Sequence, residues 1–128
     1  MHHKKHFSLE EANSLLPFAE SNLEKIIRLK NTLADKGFDI YKHPYFTGIH
    51  KNGSGKYSDE VEELINTLKK MENLGILIKN MDNGLIDFPH LRKNGEEVYL
   101  CYLLGEKSIK FWHSIQDGFA GRKSIDDI

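Results

Sequence analysis

The chain has 128 residues, enough for one domain with its own core, and its mean hydropathy of -0.52 with 39% hydrophobic residues describes a soluble protein. Its 18 basic and 19 acidic residues leave a formal net charge of -1, which argues against a general nucleic-acid binder and against a polybasic membrane anchor. No apolar run reaches a membrane-spanning length, no apolar signal core follows the basic start, and the single cysteine, Cys101, cannot form an intramolecular disulfide, so the expected location is the cytoplasm.

The N-terminus reads Met1-His2-His3-Lys4-Lys5-His6. A free amine, the following amides and the His3 imidazole could form a square-planar Cu(II) or Ni(II) site. The structural alternative is a solvated tail. The first helix then starts at Ser8-Leu9-Glu10-Glu11, a capping box in which hydroxyl and carboxylate satisfy each other's backbone amides. Apolar residues recur at helical spacing from Ala12 through Leu33, and Gly37 supplies a stop. Pro17 removes an amide and collides with the carbonyl of Asn13, which predicts a kink. Unbroken, such a helix would span about 40 Å at 1.5 Å per residue. A globule of this size has a radius of gyration of about 14 Å, so the helices should kink, protrude or pack on a second copy.

Residues 38 to 57 are ambiguous. The first half is rich in Phe, Tyr and Ile, and Lys51 to Lys56 has the composition of a flexible connection. Gly53-Ser54-Gly55-Lys56 resembles a phosphate-loop fragment, but His50 stands where the earlier glycine belongs and Tyr57 where Ser or Thr belongs. The second helix starts at Ser58, carries the stripe Val61, Leu64, Ile65, Leu68 and Met71, and ends at Gly75.

After Gly75 the period becomes that of strands. Expected strands cover Ile76 to Ile78, Leu85 to Phe88, Glu97 to Leu104 and Ile109 to Ile115, with glycine turns between them. The chain therefore reads as one α+β domain: a long helical hairpin over residues 8–75, packed on an antiparallel β-meander of about four strands over 76–115, with a C-terminal loop or tail over 116–128.

The C-terminal half also concentrates the chemistry-bearing side chains. Pro89 forces Phe88 to be extended, which puts Asp87 at the end of a strand. Alternation places Ile109, Phe111, His113 and Ile115 on one side and Trp112 on the other, and it groups Cys101 with Tyr99 and Leu103. Glu106 lies in the turn between the last two strands, and Arg122 follows Gly118-Phe119-Ala120-Gly121. That GxxG segment lacks the charge and flanking elements of a nucleic-acid loop. One reading is a cleft with His113 as base or metal ligand, Asp87 or Glu106 as its partner, and Arg122 as an anion clamp. The other is a set of internal tethers, Glu106 with Arg122 and Asp87 with His113 or a turn amide. Cys101, His113 and Asp87 are acceptable zinc or iron ligands, but paired metal-ligand spacing is lacking, so no cofactor is predicted and Cys101 reads as a small buried apolar residue.

These residues also carry a family resemblance. Phe7-Ser8-Leu9-Glu10-Glu11-Ala12-Asn13 with Leu15-Leu16-Pro17, then Gly84-Leu85-Ile86-Asp87-Phe88-Pro89, Val98-Tyr99-Leu100-Cys101, Gly105-Glu106, Trp112-His113 and Gly118 to Arg122 resemble an uncharacterised bacterial family, domain of unknown function 2203. Tyr102 departs from the tryptophan usual in that pattern, and the middle of the chain matches poorly. The resemblance implies identity and no mechanism. Two functions from different classes stay open. One is an interaction or structural module that self-associates through the helical hairpin. The other is a small-molecule or metal-binding domain, possibly an enzyme, that uses Asp87, Glu106, His113 and Arg122.

Overall fold

A computed structural model describes residues 1–48 and 57–128. Helices α1 (Leu9–Ser14), α2 (Leu16–Asp35), α3 (Pro44–Thr47) and α4 (Asp59–Asn73) precede strands β1 (Leu77–Asn80), β2 (Leu85–Leu91), β3 (Glu97–Leu103), β4 (Phe111–Ser114) and β5 (Lys123–Ser124). The architecture is α+β. The sheet is antiparallel with neighbours in chain order, β1-β2-β3-β4-β5. It has five strands where about four were expected, because the two-residue β5 pairs Ser124 with Phe111 and Lys123 with Trp112. The flexible stretch Lys51 to Lys56 and the phosphate-loop fragment lie outside the described residues.

The capping box at Ser8 is formed, with the Glu11 amide donating to Ser8 Oγ at 3.0 Å and the Ser8 amide to Glu11 Oε1 at 3.1 Å. Pro17 does more than kink the helix. It stands in the first turn of α2, where its missing amide costs nothing, and the chain divides at Leu15 into α1 and α2. Within α1, Asn13 Oδ1 accepts from the Ile109 amide at 2.8 Å. Ser58 caps α4 as expected. Between α2 and α4 the described residues form a 3-10 turn over Ile40–Lys42 and then α3, so the described part of the connection is partly helical.

α2 and α4 pack against each other and on one face of the sheet. Leu23, Ile26, Leu64, Leu68 and Met71 from the helices share a core with Ile86, Phe88, Val98, Leu100, Tyr102 and Trp112 from the strands. Gly84 closes the β1–β2 turn at φ +73°, and a Cβ there would lie 2.6 Å from Leu104 Cβ, so both the turn and the close approach require glycine.

Two strand boundaries differ from the sequence reading. β2 runs straight through Pro89 to Leu91, so Asp87 is mid-strand and not at a strand end. Proline is tolerated because β1 pairs no further than Asp87, which leaves Pro89 on a local edge. The Pro89 carbonyl there accepts from the Phe7 amide at 2.7 Å. β4 begins at Phe111, not Ile109. Ile109 instead turns into the core beside its bond to Asn13.

Candidate functional site

The core cluster shared with the helices lies on one face of the sheet. Residues directly opposite one another in antiparallel strands share a face. The register pairs Asp87 with Cys101, Cys101 with Phe111, and Tyr99 with His113. These side chains therefore lie together on the face turned away from the helices. Asp87, Cys101 and His113 are nonetheless 1%, 0% and 3% exposed. Burying a carboxylate this deeply requires a compensating partner.

The partner is His113. Its Nε2 lies 3.1 Å from both Asp87 oxygens, and its Nδ1 donates to the Ser114 carbonyl at 2.9 Å. A carbonyl can only accept, so Nδ1 carries a proton. A carboxylate also only accepts, so a neutral ring would aim the Nε2 lone pair at carboxylate lone pairs. A proton or a cation must sit between the groups. With a proton there, burial opposes the imidazolium. Hydrogen bonds to Asp87 and Cys101, the Ser114 carbonyl and the Asp87 charge outweigh it, and the His113 pKa is pushed up to about 10. An Asp87 oxygen, Cys101 Sγ and a His113 ring nitrogen all lie within 4.8 Å of one another.

This arrangement excludes a cysteine–histidine–aspartate relay through His113. A relay puts nucleophile and acid on opposite ring nitrogens. Here Nδ1 is committed to the backbone and Nε2 faces the carboxylate, with the thiol gathered into the same trio within 4.8 Å. Their convergence on one point is the geometry of a ligand set. An imidazole whose far nitrogen donates to a backbone carbonyl has the orientation usual for a metal ligand.

The structure brings the four residues singled out from the sequence together as two pairs. Glu106 Oε1 accepts from Arg122 Nη2 and from the Leu103 amide, both at 2.7 Å. The Arg122 guanidinium also lies over the rings of Phe111 (4.0 Å) and Phe119 (4.7 Å). Its Nε is buried and has no hydrogen-bond partner among the described residues. Cys101 joins the pairs: its thiol belongs to the Asp87–His113 cluster, and its carbonyl lies 3.4 Å from Arg122 Nη2. Arg122 thus holds the C-terminal segment, and Phe119 with it, beside the cluster. A cleft of about 200 Å³ opens there, with Asp87, Tyr99 and His113 among its lining residues.

The N-terminal residues form a further part that the sequence reading left as a tail. Glu97 accepts from the backbone amides of His2 (2.8 Å) and His3 (3.1 Å), and its Oε2 lies 2.6 Å from His6 Nε2. His3 Nε2 is 2.7 Å from the Tyr99 hydroxyl, and Tyr99 in turn packs against His113 at 5.4 Å between ring centroids. The amides and imidazole that a square-planar copper site would use are therefore engaged by Glu97 and Tyr99. Alternation along β3 does group Glu97 and Tyr99 with Cys101. The return of residues 2 to 6 to them depends on the Phe7–Pro89 bond, which no local pattern announces.

Glu97 makes this contact sensitive to acid. Burial opposes its charge, but His6 and the two amides outweigh that and hold its carboxyl down to about 2, below the usual 4.5. A depressed carboxylate stabilises the fold above the unfolded value and loses that contribution as pH falls through the folded value. The N-terminal residues should therefore stay bound at neutral pH and release between about pH 4.5 and pH 2. Amide exchange at His2 and His3 reads this directly. Protection that is unchanged by Glu97→Gln would contradict it.

A family model described as Uncharacterized conserved protein (DUF2203) matches residues 5–125. No curated protein and no solved structure matches the chain.

Proposed function

The chain belongs to the DUF2203 family of uncharacterized conserved proteins, and from that premise, which brings no activity with it, we propose that it is a metal-binding domain whose ligands are Asp87, Cys101 and His113. The observation that carries this reading is the convergence of carboxylate, thiol and imidazole on one buried point, with the other imidazole nitrogen already fixed by the Ser114 carbonyl. One oxygen, one sulfur and one nitrogen donor suit Zn²⁺. Tetrahedral zinc bonds of 2.0–2.3 Å imply ligand separations of about 3.3–3.7 Å. To admit the ion, the 3.1 Å between His113 and Asp87 must open slightly, and the trio, which spans up to 4.8 Å, must draw in by about 1 Å. Three protein ligands beside an open cleft match a site with an exchangeable position, where a structural zinc takes four protein ligands.

Asp87 supplies negative charge, Cys101 ligates as thiolate, and the Ser114 carbonyl fixes the His113 ring. Glu106 and Arg122 act as positioning residues through the Cys101 backbone and the cleft wall. The alternative, self-association through the helices, is less well supported because their apolar stripes are already used. Leu16, Ala19, Leu23, Ile26, Leu29 and Leu33 of α2, and Val61, Leu64, Ile65, Leu68 and Met71 of α4, are all buried within one chain.

Cobalt titration tests the proposal. The chelator-treated protein should bind one Co²⁺ per chain and develop a thiolate-to-cobalt charge-transfer band. Cys101→Ser should lose the band, and His113→Gln should weaken binding by about 10–100-fold or more, the scale already seen when only an outer partner of a ligand is removed. Absence of the band, or its persistence in Cys101→Ser, would overturn the assignment.

A further inference from the structure

The cleft beside the three proposed ligands has its own chemistry. Its volume of about 200 Å³ is modest. An apolar cavity of roughly 150 Å³ accommodates benzene, so a molecule of that size or slightly larger fits here. Leu85, Ile115 and Phe119 supply apolar wall. Phe119 is 49% exposed, unusual for a large aromatic residue, and Arg122 supports its ring at 4.7 Å. An aromatic ring held in place yet uncovered offers a surface for an apolar group.

Besides the Asp87–His113 pair, the same cleft is lined by one further cation and one further anion, the exposed Lys79 and Asp117. Lys79 Nζ lies over the Tyr99 ring, 5.1 Å from its centroid. Among the described residues neither Lys79 nor Asp117 takes part in an ion pair, with each other or with any other group. A purely anionic ligand would meet Asp117, and a purely cationic one Lys79. A ligand carrying both charges satisfies both.

Resting on the metal reading above, we propose that this cleft takes a small zwitterion with an apolar side chain, of the α-amino-acid type. Its carboxylate faces Lys79 and the open metal position, its ammonium faces Asp117, and its side chain lies against Leu85, Ile115 and Phe119. Lys79 and Asp117 set specificity and neither is a metal ligand.

The test uses the cobalt-loaded full chain and three probes with the same branched side chain: L-leucine, its deamino analogue 4-methylpentanoate and its decarboxylated analogue isoamylamine. Leucine should shift the charge-transfer band while preserving it. By calorimetry it should bind about tenfold or more tightly than either single-charge analogue, the scale of one charged hydrogen bond. Lys79→Met and Asp117→Asn should each weaken leucine by a similar factor and leave the cobalt band itself intact. Leucine binding no better than both analogues would overturn the proposal. So would binding unchanged in both variants, or a band that leucine abolishes equally in every variant, which is simple removal of the metal. A normal cobalt band with no response to leucine sinks this inference alone. Failure to bind cobalt at all sinks the metal reading and this inference with it.

Discussion

Replacing His113 with alanine is expected to destabilise the metal-free chain by about 3–5 kcal/mol, a large share of the stability of a domain this size. The loss does not come mainly from the missing contact. Asp87 is 1% exposed in the middle of β2, and without the imidazolium its carboxylate would be buried with no opposing charge. Urea unfolding measures the effect. The double variant Asp87→Leu with His113→Phe should recover most of the loss, because an apolar pair of similar volume removes the desolvation cost together with the attraction. A single variant as stable as the parent would show that Asp87 has other compensation. The same pair sets a pH dependence. The folded pKa of His113 is pushed up to about 10 from 6.5, so its contribution is fully present below pH 6.5 and is lost as pH rises through about 10. The parent should lose stability across that interval, and the double variant should lack this component.

Zinc is expected to stabilise the protein strongly, by about 2.7 kcal/mol when free metal is a hundredfold above its dissociation constant. Cys101→Ala should lose this gain. It should also be modestly destabilised without metal, because the side chain is fully buried and small. The gain should shrink in acid, because His113 must give up its Nε2 proton and Cys101 its thiol proton before either can ligate. Thermal melts with and without zinc at several pH values measure both effects. Equal zinc stabilisation in parent and Cys101→Ala would place the metal elsewhere.

The parts of the fold written in local chemistry were legible. Ser8 and Ser58 announce their helices because a hydroxyl before an apolar stripe serves the free amides of the first turn. Alternation grouped His113 with Phe111 and Cys101 with Tyr99, each within its own strand, and the structure pairs Asp87 with His113 and Glu106 with Arg122. Other features depended on distant groups. Pro17 signals a disturbance that fits either a bend or a division, and the chain divides at Leu15, beside the bond from the distant Ile109 amide to Asn13 Oδ1. Pro89 marks a strand end only if the neighbour on its amide side needs that donor, and β1 stops short of it. β5 is two residues long and has no periodicity to read. In the candidate site, Cys101 looks like a buried apolar residue from its neighbours. Only register across β2, β3 and β4 sets its thiol beside a carboxylate and an imidazole.

The central claim is that one metal ion occupies the point shared by Asp87, Cys101 and His113. A crystal structure of zinc-loaded protein, with diffraction recorded on both sides of the zinc absorption edge, tests it most directly. The expected result is one anomalous peak per chain, bonded to an Asp87 oxygen, Cys101 Sγ and His113 Nε2, with a further position open to the cleft and His113 Nδ1 still on the Ser114 carbonyl. An ion bound elsewhere, with His113 hydrogen-bonded straight to Asp87 and no density between them, would contradict it.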